Sequence, residues 1–317
     1  MDPELMFAAD GASDRGRPLA KRCAAGELVR LRRGVYVASA EWNRLPRWER
    51  ERLRITAAVE TGKGPRVLVQ QSAALIWGIP VIGASTEILL LSSQATRGRR
   101  RGDLRWTERK LLESVTQRDG ADLTTRAQTV IDMAAYLPFR QAVPAMDHVL
   151  RPDPVRGFEP LSKDHLYMVA ERLPDRAKHR RAVRVIDFAD ARAESPGESF
   201  SRAVLHGYGF AAPELQQDFH SAGGRFLGRT DFYWREQRVV GEFDGAVKYG
   251  RGATVPGAGT APSWETLTRE KRREDAIRAT GVGFVRWSWT DITDSPRNPD
   301  GLVQGLVRAG VPRNRRR

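Results

Sequence analysis

A chain of 317 residues, 40% apolar, is long enough for about two domains. Its mean hydropathy of −0.50, and the lack of any apolar run near the roughly 20 residues of a membrane span, argue against a membrane protein. The single cysteine, Cys23, excludes an internal disulfide or cysteine-rich zinc site, and a formal charge of +14 favours polyanions, nucleic acid ahead of an anionic membrane surface.

The first residues, MDPELMFAADGASDRGR, lack the basic stretch and apolar core of a secretory signal, so a cytoplasmic protein is expected. A short turn is expected at Pro3 to Phe7. Pro18 to Ala25 reads as a helix, with proline suited to its first turn and Gly26 to a left-handed stop. Leu28 to Leu31 and Val35 to Val37 follow as two short strands around a turn at Arg32-Arg33-Gly34. A helix followed by a basic hairpin is the pattern of a winged helix. The helix, with Lys21 and Arg22, would enter the major groove of double-stranded DNA, while Arg30, Arg32 and Arg33 reach phosphates or the minor groove. The competing reading is a surface hairpin with solvated arginines.

The stretch Gly26 to Val37, GELVRLRRGVYV, resembles the N-terminal winged-helix part of AbiEi-type antitoxins and related actinobacterial proteins. That resemblance implies DNA binding and adds a toxin or defence-system partner to the expectations. The helices expected before Pro18 are compressed here into fewer than 20 residues.

Residues 46 to 62 form a charged amphipathic helix with Trp48, Leu53, Ile55 and Ala58 facing inward. Gln70 to Gly78 is a second helix, Glu87 to Ser92 a buried strand, and Thr96 to Gly102 a basic loop. Two helices follow at Thr125 to Tyr136 and Phe139 to Leu150, where Asp132 and His148 read as satisfied surface or core groups. A proline-rich connection, Arg151 to Pro160, leads to charged helices over 161 to 192. Residues 1–150 thus read as a winged-helix and helical region, 151–194 as a linking segment and 195–317 as a second domain.

In that domain Ser195-Pro-Gly-Glu198 opens a helix as a capping box, and Glu198 also points towards the strands that follow. Phe226 to Trp234 and Val239 to Asp244 read as two strands of a hairpin. With a four-residue loop, Arg235 to Arg238, Trp234 faces Val239 and Asp231 lies opposite Glu242. Opposed residues share a face with Cβ atoms about 5 Å apart. Two acids that close repel unless a proton or a cation lies between them, and Mg²⁺ would satisfy both. Residues 250 to 262 read as a small-residue loop, Ser263 to Ala279 as a charged helix with Trp264, Leu267 and Ile277 inward, and Gly283 to Trp289 as a further strand.

Helix, acidic strands, helix, strand is the order of the PD-(D/E)XK nuclease core. More narrowly, GRTDFYW, VVGEFDG, EKRREDAIRATG and FVRWSW resemble very-short-patch-repair-like endonuclease domains over roughly residues 195 to 292. The resemblance implies an α/β domain, a restriction-endonuclease-like mixed sheet flanked by helices, within a chain that is α+β overall. It also implies cleavage of DNA phosphodiesters with Mg²⁺ or Mn²⁺ held by Asp231 and Glu242. Asp244 stands where that pattern has its lysine, as an extra metal ligand or as a brace for the turn at Gly245. Lys248 or Lys271 would then stabilise developing negative charge. Arg273 binds phosphate or pairs with an acid. The competing function is a non-catalytic DNA-binding regulator, antitoxin-like, on a degenerate nuclease fold.

Overall fold

The structure, a computed structural model, describes residues 3–8, 18–62, 64, 66–83, 86–93, 98–245 and 264–313. The described residues divide into two compact units. One comprises Met1–Tyr136 with Asp164–Ala182, the other Leu137–Lys163 with Val183–Arg251 and Gly257–Arg317.

In the first unit, β1 (Met6–Phe7), α1 (Leu19–Ala24), β2 (Leu28–Arg32) and β3 (Val35–Ala38) build a small sheet of order β1-β3-β2. Gly26 sits at φ +79° just past α1, the left-handed stop anticipated from its position. The turn expected at Pro3 to Phe7 is instead a strand, Met6 pairing with Tyr36. Leu19, Leu28 and Tyr36 bury together beneath it. Next come α2 (Ser39–Arg44), α3 (Arg47–Glu60), β4 (Val67–Leu68) and α4 (Gln70–Trp77), then β5 (Ile88–Leu91), β6 (Arg100–Arg101), β7 (Leu104–Thr107), β8 (Thr116–Arg118) and β9 (Ala121–Leu123). These strands form a six-stranded sheet of order β6-β7-β5-β4-β9-β8. The middle of the chain is therefore not chiefly helical. Strands of two to four residues carry too little alternation to stand out in a sequence. The basic stretch read as a loop contributes β6, antiparallel to β7. α5 (Arg126–Tyr136) closes this part of the unit.

The helices α6 (Phe139–Val149), α7 (Lys163–Glu171) and α8 (Arg176–Phe188) precede α9 (Pro196–Gly207). Within the second unit, α6 and α9 share a buried ion pair. Arg202 Nη2 lies 2.9 Å from Asp147 Oδ2, while Arg202 Nη1 donates to the Phe188 carbonyl at 2.9 Å. Beyond α9 lie β10 (Glu214–His220), β11 (Phe226–Trp234), β12 (Val239–Phe243), α10 (Trp264–Arg278), β13 (Gly283–Trp287), α11 (Trp289–Thr293) and α12 (Leu302–Arg308).

The sheet order is β10-β11-β12-β13. The first three strands run antiparallel, and β13 lies parallel to β12 after the crossover through α10. This is a mixed sheet flanked by helices. One face buries Phe219, Tyr233 and Val240 with Ile277 of α10 and Val282. On the other, Trp287 lies 5.2 Å from Phe232, centroid to centroid, and its Nε1 donates to Ser201 Oγ of α9 at 2.8 Å. Two glycines permit these approaches. A Cβ at Gly241 would stand 2.7 Å from the Trp287 ring, and one at Gly197 would overlap the ring of Phe243. Trp264, expected inward, is 81% exposed at the start of α10.

Candidate active site

The hairpin register is the expected one. Trp234 pairs with Val239, Tyr233 with Val240 and Phe232 with Gly241, so the next position sets Asp231 across from Glu242. Asp231 is half-buried, and its Oδ2 accepts the Phe243 N–H at 2.8 Å. Burial, with the negative charges of Glu198 and then Glu242, pushes its carboxyl up to about 7, against the Phe243 N–H and the Arg273 charge. Three acids on three elements, α9, β11 and β12, are therefore close enough to feel one another.

Glu198 is buried. Ser195 Oγ accepts its N–H at 3.1 Å, as capping requires, and its own Oε2 accepts the N–H of Glu194 at 2.8 Å. The same oxygen accepts Nε2 of Gln216 at 2.9 Å. Gln216 holds φ +55°, a conformation non-glycine residues seldom adopt and one often found beside functional sites. Desolvation raises the Glu198 carboxyl above its ordinary value, opposed by the hydroxyl of Ser195 and the Glu194 N–H. The expected capping box is thus half made: Ser195 caps α9, while the Glu198 side chain takes the N–H of Glu194 and the Gln216 amide instead of the Ser195 N–H, and its charge reaches Asp231.

Glu242, also buried, carries two guanidiniums. Arg273 Nη2 of α10 donates to Oε1 at 2.6 Å, and Arg286 Nη2 of β13 to Oε2 at 2.7 Å. Arg273 also binds Glu270 through Nη2 at 2.5 Å and Nε at 3.1 Å, and donates from Nη1 to the Arg229 carbonyl at 3.0 Å. Of the two readings of Arg273, pairing with acids is the one present. Hydrogen bonding to Glu270 raises its pKa further above the ordinary arginine value. Gly228 opens the path for its stem, since a Cβ there would lie 2.9 Å from Arg273 Cδ. Arg286 Nη2 further approaches Glu270 at 3.2 Å and Glu274 at 3.1 Å. Its position in FVRWSW, an arginine on a strand, gave no sign of this role in the sequence.

Asp244 follows β12, where its N–H donates to the Trp287 carbonyl at 2.7 Å. That bond carries the β12–β13 pairing past Phe243. Lys248 lies outside the described residues. Lys271 lies on α10, and no hydrogen bond or ion pair ties it to this site among the described residues.

A divalent ion is implied by the nuclease resemblance, and the donors meet its needs only in part. Asp231 suits a hard cation, being a carboxylate crowded by two others. Glu242 does not suit one as arranged, because both its oxygens are held by arginines. Among the described residues, no three of His, Cys, Asp and Glu gather into a set that could hold a metal ion.

In the first unit, the basic candidates differ in their freedom. Arg32 pairs with Asp103 at 2.7 Å, a residue Arg54 also approaches at 3.4 Å. Arg22 pairs with Glu27 at 3.1 Å, and Arg30 Nε donates to the Arg32 carbonyl at 3.3 Å. Lys21 and Arg33 are exposed. Asp132, read as satisfied, is only partly so. It is 1% exposed and its Oδ2 has no hydrogen-bond partner among the described residues.

Fold and site together define an α/β protein whose C-terminal mixed sheet carries a charge cluster of acids and arginines. No protein-family model matches the chain. Two uncharacterized proteins of Mycobacterium tuberculosis, MT2308 of strain CDC 1551 and Rv2248 of strain H37Rv, are each 32% identical to it over 142 residues. The match covers 41% of this chain and 48% of each relative, so the chain spans about half the length of the curated relatives it matches. The crystal structure of the RV2827C protein from the same organism aligns at a TM-score of 0.34 with 13% identity, over 58% of this chain and 72% of that one. Among the described residues no helix is long and apolar enough to cross a membrane.

Proposed function

We propose that the C-terminal unit is a restriction-endonuclease-like domain that hydrolyses phosphodiester bonds of double-stranded DNA with Mg²⁺ or Mn²⁺, and that the N-terminal region, winged-helix-like, supplies further DNA contacts. One observation carries this reading: Asp231 is set across the hairpin from Glu242 and near Glu198, and burial first, then the charges of these two acids, raise its carboxyl to about 7. Like charges brought together in a half-buried site cost stability and are kept where chemistry uses them. The order α9-β10-β11-β12-α10-β13, with β13 parallel to β12, supports it as well. When bound, a divalent ion would polarise the phosphate and supply an activated water. Asp231 is the residue best placed to hold it. Glu198 shares its surroundings, and Arg286 supplies positive charge for a phosphate.

A second reading has its own observation. Glu242 saturated by two arginines also fits a nuclease-type fold that binds DNA without cutting it, as a regulator would. Purified protein with supercoiled plasmid and Mg²⁺ or Mn²⁺ separates the two. Nicking that is lost in Asp231→Ala, with the fold retained by circular dichroism, is the expected result. Duplex binding without cleavage of any DNA or RNA substrate would favour the regulator.

A further inference from the structure

Resting on the reading that this unit engages nucleic acid, we propose that Arg286 is a phosphate-contacting residue, held in reserve on Glu242 and released to the backbone phosphate of an arriving duplex. The geometry of its guanidinium carries the argument. All its acid contacts use a single nitrogen, Nη2, which serves Glu242 at 2.7 Å, Glu274 at 3.1 Å and Glu270 at 3.2 Å. Nε and Nη1 have no hydrogen-bond partner among the described residues, and the side chain is 34% exposed.

A guanidinium placed only to neutralise Glu242 would present two nitrogens to its two oxygens, the fork that makes such pairs strong. Here Glu242 instead takes one nitrogen from each of two arginines. The partners are unequal. Arg273 engages Nε, Nη1 and Nη2 and is enclosed by Gly228 and the Arg229 carbonyl. It is a fixed strut. Arg286 keeps two donors without a hydrogen bond among the described residues, on a side chain 34% exposed, and can exchange Glu242 for a phosphate, whose oxygens accept a fork equally well. The carboxylate thus acts as a placeholder anion that keeps the guanidinium aimed before the ligand comes.

Binding of the full chain to a fluorescent duplex in EDTA, over a range of salt, tests this without any cleavage. Glu242→Gln removes the placeholder. It should raise duplex affinity by about tenfold, while Arg286→Gln should lower it by a similar factor and reduce the salt slope by about one. The double variant should show no gain over Arg286→Gln. Asp231→Asn controls for the general effect of removing a nearby acid and should give a clearly smaller gain than Glu242→Gln. Arg286→Lys, which keeps charge without the fork, provides a second folded variant and should recover only part of the affinity.

The proposal is overturned if Glu242→Gln gains no more than Asp231→Asn. It is equally overturned if Arg286→Gln, folded by circular dichroism, binds duplex with unchanged affinity and salt slope. Either result, when the unaltered protein binds duplex and cleaves plasmid, refutes the reserve role alone. Absence of both duplex binding and cleavage in the unaltered protein refutes the nucleic-acid reading with it.

Discussion

Asp132 offers the cleanest measure of what buried charge costs this fold. It lies on α5, 1% exposed, with Oδ2 unpartnered among the described residues. Burial pushes its carboxyl up to about 7, against the Arg109 charge and a hydrogen bond from Gln128. A raised acid binds its proton more tightly in the folded state. Between the ordinary 3.8 and about 7 the folded protein therefore holds the proton that the unfolded chain has lost, and stability falls as pH rises through that window. At about 1.4 kcal/mol per pH unit, the full loss approaches about 4 kcal/mol. Asp132→Asn keeps the shape and never ionises. Urea unfolding of both proteins, followed by tryptophan fluorescence in the transition of the unit containing Trp77, should show the variant gaining on the wild type as pH rises. The difference should grow by about 2 to 4 kcal/mol from pH 4 to pH 8 and then level off. A difference that stays flat with pH would mean that Asp132 is not carrying an unmet charge, and the argument from burial would fail.

Three further outcomes follow from the same physics. Arg202→Met should destabilise the second unit by about 3–5 kcal/mol, because it strands Asp147 without its partner, and Asp147→Asn/Arg202→Met should cost less than the single change in the same urea titration. Gly241→Ala should cost about 1–3 kcal/mol, or abolish folding, as its Cβ meets the Trp287 ring at 2.7 Å; a shifted tryptophan emission would report the displaced indole. Replacing Arg30, Arg32 and Arg33 together by alanine should weaken duplex binding and lower its salt slope by about two rather than three, since Arg32 is already engaged with Asp103. An unchanged slope would leave that hairpin a structural one.

Long or strongly patterned elements were legible from the residues, and short or one-sided ones were not. The nine residues of β11 close on the aromatic run Phe232 to Trp234, and a polar loop of four fixes the register that brings Asp231 across from Glu242. α9 announced itself through Ser195, Pro196 and Glu198. By contrast β10, ELQQDFH, buries only Leu215 and Phe219 among polar neighbours, and it passed unseen with Gln216, which reaches Glu198. α12 offered only seven residues with a glycine among them. Helical spacing sets Trp264 inward, yet it stands in the first turn of α10, 81% exposed. Of the two arginines on Glu242, pairing of Arg273 with an acid was within reach of the sequence, but Arg286 was not. Arg286 lies 44 residues away and meets Glu242 only because β13 runs parallel beside β12.

That parallel pairing bears on the choice between a cutting and a merely binding protein. Glu242, Glu270 and Glu274 meet Arg273, Arg278 and Arg286, three acids against three guanidiniums, and the further acids Glu198 and Asp231 stand beside that network. The whole chain, however, carries +14. A surface that only attracts DNA gains affinity from each basic residue and loses some with each acid near a phosphate. Concentrating acids where the flanking arginines would meet the backbone therefore weakens a pure binder. It serves a site that must receive positive charge from solution together with a phosphate. Within the proposed reading, the arginines on Glu242 and the raised carboxyl of Asp231 are two responses to one excess. A guanidinium neutralises the first, and burial together with the neighbouring charges favours a proton on the second; an arriving phosphate would draw the one away and a cation would replace the other.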